Sequence, residues 1–488
     1  MSPTIFLVCI LIYFAGLYGV AWYTSRGATE HSFFVGGRQS NWLVVAYGMI
    51  GTSLSGVTFM SVPGAVESKH FIYFGIVIGY FIGYYAVAFV LLPLYYRLQL
   101  TSIYHYLLQR FGNTTYKTGS LFFIVSRTMG ATIRMYLVIN VLQLFILDAW
   151  HVPFPVTTLI ILIMIWLYTF KGGVKTIVWT DMLQTTFMLL ALGVCVWFIK
   201  NNLGLNFTSM WQNFSEKGYN KIWETDYHSP VFFLKQIIGG AFVTIAMTGL
   251  DQEMMQKNIS CKTLGDAQKN MISFSFILLL VNFVFLILGG LLYLYVDANH
   301  IIKPSSADEL FPVIALNYLP PVVSLLFIIG LISALFPSAD GAITALTTSI
   351  CVDVLGINKN EKMNDEEKKK LRQRVQIGVI ASFLLCIIIF KIINEKSIID
   401  LLLLIASYTY GPLLGLYAFG LISNRKIKDN YSWIICLAAP ILCYCLNQLN
   451  TSFDILLGYK LGMELLIING IITYFGLYLI SKKEQPQY

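Results

Sequence analysis

Charged residues are scarce in this sequence: Asp, Glu, Lys and Arg make up 12% of its 488 residues, while 57% are hydrophobic. A soluble domain carries about 25% charged residues, so the composition excludes an ordinary soluble protein. The mean hydropathy is +0.70, and apolar stretches of about 20 residues, long enough to cross a bilayer, recur along the chain. The sequence therefore predicts an all-α membrane protein that crosses the bilayer many times.

Catalytic and metal-binding motifs are also missing. The eight Cys form no CxxC pair, which argues against a zinc site or a disulfide framework. The six His fall in loops or at the edges of apolar stretches, and neither an HExxH motif nor a Ser–His arrangement lies at membrane depth. We therefore expect neither enzyme activity nor a cofactor.

Thirteen apolar spans are predicted, which places the two termini on opposite sides of the membrane. The spans cover residues 3–24, 41–63, 71–96, 119–147, 153–170, 175–199, 230–255, 271–297, 320–355, 375–393, 398–422, 431–447 and 461–481. Without the first and the last two, ten remain, and these divide into five and five. Because five is odd, the second set begins on the opposite side of the membrane, which is the arrangement of an inverted repeat.

This division predicts the organisation of the whole chain. The predicted segments are an N-terminal extra helix and linker (1–40), a first five-helix repeat (41–199), an exterior loop (200–229), a second five-helix repeat (230–422), and two C-terminal helices with a short cytoplasmic tail (423–488).

Lysine and arginine are distributed unevenly between the loops on the two sides. One alternating set of loops holds 22 of them, including Lys257, Lys262 and Lys269, and the other set holds eight. By the positive-inside rule the N-terminus is outside and the C-terminus is cytoplasmic, and residues 359–374 form a solvated cytoplasmic connector. The net charge of +8 thus has a topological cause and does not call for a nucleic-acid partner.

Two spans at corresponding positions of the predicted repeats are polar and interrupted by glycine: residues 47–66 and 237–252. Such a pair indicates a binding site near the bilayer midplane, because unwound backbone is tolerated there only where it lines a cavity. In the first span the small residues either allow close helix packing, or the helix breaks and the carbonyls of Gly51 and Leu54 bind a hard cation.

Residues 335–348, LFPSADGAITALTT, combine helix-breaking and polar residues within a long apolar span. Pro337 has no N–H, so the carbonyl of Ser333 loses its intrahelical partner, and the Ser338 hydroxyl lies beside it. Oxygen ligands of this kind suit Na⁺ better than a transition metal. The alternative is a kinked helix that only packs closely; we favour the cation site.

Asp181, Arg127 and Arg134 are charged side chains inside predicted spans. If Asp181 is buried it needs a partner or a bound cation; the alternative is an aspartate near water at a helix end. Arg127 and Arg134 lie seven residues apart and therefore share one helix face. They indicate either the recognition of an anion or a structural ion pair.

Together these segments resemble the sodium/solute symporter family over residues 30–425. GTSLSGVTFMSVPGAV is similar to that family's first core helix, GGVKTIVWTDMLQ to its fifth, and ISALFPSADGAITALTTSICVD to its eighth-helix ion signature. The resemblance implies the leucine-transporter fold, alternating access, and a central sodium site. Its ligands would be the carbonyls of Gly51, Leu54 and Ala334 and two consecutive hydroxyl positions, which are Pro337 and Ser338 here.

The resemblance also implies a second ion or proton site. The aspartate of the family's fifth helix is matched by Asp181, and Asp340 and Gly341 stand where relatives often carry hydroxyls. The solute is expected to be a small organic anion. Its candidate ligands are Ser53, Ser55, Thr58, Arg127, Arg134, Thr244 and Tyr408.

The predicted function is a Na⁺-coupled symporter of the plasma membrane that imports a small polar solute. Its partners are Na⁺, the solute and the lipid bilayer. One alternative is an H⁺-coupled symporter of the same fold that uses Asp340; another is a neutral sugar or amino acid as the solute. A channel or a sensor of similar fold is less favoured.

Overall fold

The computed structural model of the chain describes residues 3–26, 38–170, 173–357, 363–393, 398–454 and 456–482. Residues 359–362 of the predicted connector lie outside these ranges. So do five basic residues of the predicted charge pattern: Lys171, Lys359, Lys362, Lys396 and Lys483.

Helices make up nearly all of the described chain. In the first half they are α1 (Pro3–Thr24), α2 (Trp42–Ser53), α3 (Gly56–Gly64), α4 (Val66–Lys69), α5 (Tyr73–Ala86), α6 (Leu92–Arg97), α7 (His105–Arg110), α8 (Asn113–Leu142), α9 (Phe154–Thr169), α10 (Gly173–Asn202) and α11 (Phe207–Glu216). In the second half they are α12 (Phe233–Thr244), α13 (Gln252–Ile259), α14 (Leu264–Ala298), α15 (Leu310–Asn317), α16 (Pro321–Ser349), α17 (Asp365–Ile393), α18 (Ile398–Thr409), α19 (Gly411–Ile422), α20 (Ser432–Phe453) and α21 (Glu464–Leu479).

Short π-helical and 3₁₀ segments extend or connect these helices. The π-helical segments are Val87–Leu91, Gln143–Leu147, Ile245–Gly249 and Ile350–Val354. The 3₁₀ segments are His70–Ile72, Asp148–Trp150, Ala307–Glu309 and Asp429–Tyr431. Two short strands pair antiparallel: β1 (Lys426–Ile427), between α19 and α20, and β2 (Ser481–Lys482), after α21.

Eight helices of the described chain are long and apolar enough to cross a membrane. Three bent pairs meet the same test when each pair counts as one span: α2 with α3, α12 with α13, and α18 with α19. The helices α9 and α21 are apolar but shorter. The many-span, mostly helical architecture is confirmed, and the count of thirteen stays a prediction.

The helix α10 is at the centre of the packing. It packs extensively against α16 and α2, and it also contacts α1 and α14. The predicted ion residues lie on α2, α10 and α16 and at the end of α2. The centre of the fold therefore brings residues 48–52, 181–185 and 334–341 together although they are far apart in the sequence.

The helices α5 and α12 approach each other through glycines. A Cβ at Gly79 would lie 2.9 Å from both the Gly240 Cα and the Ala241 nitrogen, and one at Gly83 would lie 2.7 Å from the Thr244 Cβ. Real Cβ atoms do not approach backbone atoms so closely. Small residues let helix backbones pack at short distance in membrane proteins, and here they place Thr244 at the wall of a cavity.

We expect Gly79→Ala to destabilise the protein by about 1–3 kcal/mol, because the added methyl group overpacks the contact with α12. The measurement is thermal unfolding of the purified protein in detergent. Gly193→Ala is the matched control, since a Cβ at Gly193 has nothing within 4 Å. Equal stability changes in the two variants would contradict the close-packing account.

Candidate ion and solute site

The first predicted core helix is broken. The axes of α2 and α3 diverge by 53°, and the break consists of Leu54 (φ −83°, ψ 80°) and Ser55 (φ −78°, ψ 176°). The carbonyl oxygens of Gly51 and Leu54 accept no backbone hydrogen bond from the described residues. The predicted break is confirmed, and it leaves both carbonyls without the partners that a continuous helix would give them.

The second interrupted helix bends more sharply. The helix α12 continues through the π-helical segment Ile245–Gly249 and meets α13 at 66°. At the break, an Asp251 carboxylate oxygen accepts hydrogen bonds from the N–H groups of Glu253 (2.9 Å) and Met254 (3.3 Å), as an N-cap residue does. The other oxygen accepts from the Tyr410 hydroxyl at 2.9 Å. Both interruptions predicted from the sequence are therefore breaks in the structure.

The helix α16 packs against both halves of the first broken helix and carries three of the predicted sodium ligands. Ala334 and Ser338 are buried, and the Ser338 Oγ has no hydrogen-bond partner among the described residues. A buried hydroxyl without a partner is unfavourable, so this oxygen is open to a ligand. Pro337 lies inside α16 and does not end the helix. The Ser333 hydroxyl and the Tyr13 hydroxyl of α1 form a hydrogen bond of 2.6 Å.

Asp181 on α10 is fully buried and has a basic partner. One of its oxygens accepts hydrogen bonds from the Lys257 Nζ at 2.6 Å and from the Thr52 Oγ1 at 3.1 Å. The Lys257 Nζ also donates to the Thr52 Oγ1 at 2.6 Å. Asp181 is therefore a buried, partnered carboxylate and not a helix-end aspartate near water.

The prediction that Lys257 lies in a cytoplasmic loop is wrong. Lys257 is part of α13 and only 3% exposed. The physical reason is the buried carboxylate of Asp181, because an unpaired buried charge is costly and an ammonium at hydrogen-bond distance compensates it.

Asp340 lies beside this pair, near enough to interact electrostatically with both Asp181 and Lys257. One of its oxygens accepts a hydrogen bond from the Tyr168 hydroxyl at 2.8 Å. The other oxygen is buried and has no hydrogen-bond partner in the described part of the chain. One atom of this carboxylate is therefore open to an ion or a proton.

Gly341 is a point of close contact. A Cβ at this position would lie 2.7 Å from the Glu253 Cδ. Glu253 forms a buried ion pair with the Arg127 guanidinium, and its other oxygen is 3.7 Å from the Lys257 Nζ. The Glu253 carboxylate thus fills the space into which a side chain at position 341 would extend, and Arg127 occupies a structural ion pair.

A cavity of about 100 Å³ lies beside the first break. Six of the predicted solute residues line it: Ser53, Ser55, Thr58, Arg127, Arg134 and Thr244. The structure places Tyr408 elsewhere, where its hydroxyl accepts a hydrogen bond from the Asn447 Nδ2 at 3.3 Å and its ring packs against Tyr444. The cavity therefore brings together hydroxyl groups from the broken helix and the two arginines of α8.

The two arginines differ in their partners. Arg127 pairs with Glu253 and lies 3.8 Å from an oxygen of Asp251. Arg134 has no acidic partner within 4.0 Å among the described residues, and its buried Nε has no hydrogen-bond partner there either. A guanidinium presents several donors in a planar fork that fits a carboxylate, so Arg134 is the positive group in the cavity that remains open to an anion.

Several residues of this site were not identified from the sequence: Glu253, Lys257, Tyr168 and Thr185. The Thr185 Oγ1 accepts a hydrogen bond from the Gly51 N–H at 3.0 Å and so anchors the broken helix on α10. A signal was present in residues 249–257, since Glu253 and Lys257 are four residues apart, as helical ion pairs often are. Lys257 was instead counted with a cytoplasmic loop, whereas the break at Asp251 places both residues in the interior.

Comparisons with known proteins agree with these features. A sequence model of the sodium:solute symporter family matches residues 33–429. The sodium/sialic acid symporter NanT of Aliivibrio fischeri is 23% identical over 96% of this chain and 93% of its own length. The sodium-coupled monocarboxylate transporter 1 of Mus musculus is 27% identical over 86% of this chain and 69% of its own length.

A solved structure has the same fold. It is the substrate-bound, outward-open state of a Na⁺-coupled sialic acid symporter, and it matches with a TM-score of 0.83 over 98% of this chain and 99% of that one. At 18% identity this likeness supports the fold alone, and it confirms the predicted leucine-transporter type of architecture. The family match, which spans most of the sequence, goes further: the chain belongs to the sodium:solute symporter family.

Proposed function

We propose that this multi-pass membrane protein imports a small organic anion together with Na⁺ across the plasma membrane by alternating access. The N-terminus is outside and the C-terminus is cytoplasmic, because one set of loops is much richer in Lys and Arg: 21 residues against eight once the buried Lys257 is left out of the 22. Residues 41–199 and 230–422 form the two five-helix repeats. The chain acts as a transporter and has no catalytic role.

The proposed binding of Na⁺ rests on one observation: several oxygen atoms around the first helix break have no hydrogen-bond partner in the described chain. The carbonyls of Gly51 and Leu54 accept no backbone hydrogen bond, and the buried Ser338 hydroxyl has no partner among the described residues. Together with the Ala334 carbonyl they offer a hard monovalent cation four oxygen ligands. Pro337 contributes no hydroxyl, so this site has one side-chain ligand from α16 where the family resemblance implies two.

The unpaired Arg134 supports an anionic solute. It faces a cavity whose other walls carry the hydroxyls of Ser53, Ser55 and Thr58, so a carboxylate could bind the guanidinium and the neighbouring hydroxyls at once. Two of the relatives are a sialic acid symporter and a monocarboxylate transporter, and sialic acid and monocarboxylates both carry a carboxylate. A neutral sugar or amino acid would leave the Arg134 charge uncompensated.

Alternating access follows from the two broken helices. Each half-helix can tilt with one side of the bundle while the break keeps the ion and solute ligands near the centre. At about −100 mV, one inward charge supplies roughly 2.3 kcal/mol, and a tenfold Na⁺ gradient adds about 1.4 kcal/mol. A monoanion moving with one Na⁺ loses the electrical part, so the number of ions determines how far the solute is concentrated.

Coupling to H⁺ is a second candidate, because Asp340 has one buried oxygen without a partner in the described chain. In that case a pH gradient would drive uptake into proteoliposomes without Na⁺, and Asp340→Asn would abolish it. Sodium coupling predicts instead that a pH gradient alone drives no uptake.

The proposal as a whole is tested by a thermal-shift screen of the purified protein with sugars, amino acids and carboxylates, each in NaCl and in choline chloride. We expect stabilisation by a carboxylate, and only when Na⁺ is present, since the ion and the solute bind on the two sides of one broken helix. Stabilisation by a neutral solute, or without Na⁺, would contradict it.

For the sodium site, we expect Ser338→Ala to raise the half-saturating Na⁺ concentration at least about tenfold, which corresponds to about 1.4 kcal/mol, because one oxygen ligand is lost. The measurement is Na⁺-dependent thermal stabilisation. Ser324→Ala is the matched control: it removes the same atom from the same helix, about 21 Å away, where the hydroxyl donates to the Ala315 carbonyl. An unchanged Na⁺ dependence in Ser338→Ala would refute the assignment.

For the anion site, we expect Arg134→Gln to lose the stabilisation by carboxylates and to keep the stabilisation by Na⁺. Arg127→Gln should instead lower the stability of the protein itself by about 3–5 kcal/mol, because it leaves the buried Glu253 without its partner. Both effects are read from the same thermal unfolding curves. A carboxylate response that persists in Arg134→Gln would show that this guanidinium is not the anion ligand.

A further inference from the structure

The Lys257 ammonium is held like a bound cation. It comes from α13 and donates hydrogen bonds of 2.6 Å to the carboxylate of Asp181 on α10 and to the hydroxyl of Thr52 on α2. A second carboxylate, that of Glu253, is 3.7 Å away. The ammonium therefore lies among three oxygen-bearing side chains that come from three different helices.

These oxygens are also those that a hard monovalent cation would use. A carboxylate and a hydroxyl together bind Na⁺ in the same way as they accept hydrogen bonds from an ammonium, and both cations carry one positive charge. Only one of the two can bind the Asp181 oxygen that Lys257 contacts, because the ammonium occupies the space of an ion there. The other Asp181 oxygen is buried and has no hydrogen-bond partner in the described chain.

We propose that Lys257 is a built-in cation for Asp181, so that this transporter binds a single Na⁺, at the Ser338 site. This inference rests on the proposed function, because it counts the ions of a sodium-coupled symporter. The covalently attached ammonium takes the place of a second coupling ion and stays in the protein throughout the transport cycle.

The balance of buried charge supports a single ion. The cluster around the Lys257 ammonium and the cavity holds three basic and four acidic side chains: Arg127, Arg134, Lys257, Asp181, Asp251, Glu253 and Asp340. With all of them ionised the net charge is −1, which one Na⁺ neutralises. A second Na⁺ would leave a buried excess of positive charge before the solute binds, which a low-dielectric interior disfavours.

This arrangement has a consequence for transport. A monoanion that moves with one Na⁺ carries no net charge, so the membrane potential does not drive it. The accumulation of the solute is then limited by the Na⁺ gradient alone: a tenfold gradient supports at most about tenfold accumulation.

The test counts Na⁺ ions and needs no solute. Equilibrium binding of radioactive ²²Na⁺ is measured on the purified full-length protein, by scintillation proximity, for the wild type, Lys257→Gln and the double variant Asp181→Asn/Lys257→Gln. We expect one ion per chain in the wild type. Lys257→Gln should bind two, because Asp181 then needs another cation, and the double variant should bind one again.

The removal of a buried charge can prevent folding, so each variant is purified in both NaCl and choline chloride. A Lys257→Gln protein that folds only in NaCl supports the proposal, since Na⁺ then replaces the ammonium. If it folds in neither salt while the double variant does, Na⁺ cannot take the place of the ammonium and the proposal is wrong.

Two other results overturn the inference. They are two Na⁺ ions per chain in the wild type, and one ion per chain in a folded Lys257→Gln protein. A wild type that binds no Na⁺ at all would instead contradict the proposed sodium coupling itself, so the two failures are distinguishable.

Discussion

The ammonium of Lys257 and the carboxylate of Asp181, 2.6 Å apart, join helices that are distant in the sequence. Neither charge is stable alone in an apolar interior, and the removal of one partner of such a pair costs about 3–5 kcal/mol. The pair therefore fixes where α13 lies against α10. Through Thr52, which bonds to both groups, it also fixes the first half of the broken helix and hence the Gly51 carbonyl.

The need to pair buried charges also explains why two arginines on one face of α8 have different surroundings. Arg127 balances Glu253, whose carboxylate fills the space next to Gly341. Arg134, two turns further along, has no acidic neighbour within ion-pair distance in the described chain and faces the cavity. Because Arg127 is paired with Glu253, Arg134 is the arginine that we propose binds the solute, next to hydroxyls that line the same cavity.

The many-span helical architecture and the two helix breaks could be predicted from the sequence, because hydropathy indicates membrane spans and the glycines indicate where a helix is interrupted. Ser338 and the cavity-lining hydroxyls were identified because polar groups within apolar spans are rare. The partners of buried charges were not identified: a lysine near a helix end has the same local pattern whether it faces water or an aspartate 76 residues earlier in the chain. Tyr408 does not line the cavity. Its orientation depends on packing against Tyr444, a contact that the local sequence does not reveal.

Sodium-coupled uptake of an organic anion is the central claim, and transport by the purified protein in proteoliposomes tests it most directly. A radiolabelled carboxylate is supplied outside, with an inward Na⁺ gradient or with an equal K⁺ gradient. We expect the carboxylate to accumulate above its external concentration with Na⁺ and not with K⁺, and to leak out when the Na⁺ gradient collapses. Equal uptake in the two salts would contradict the account.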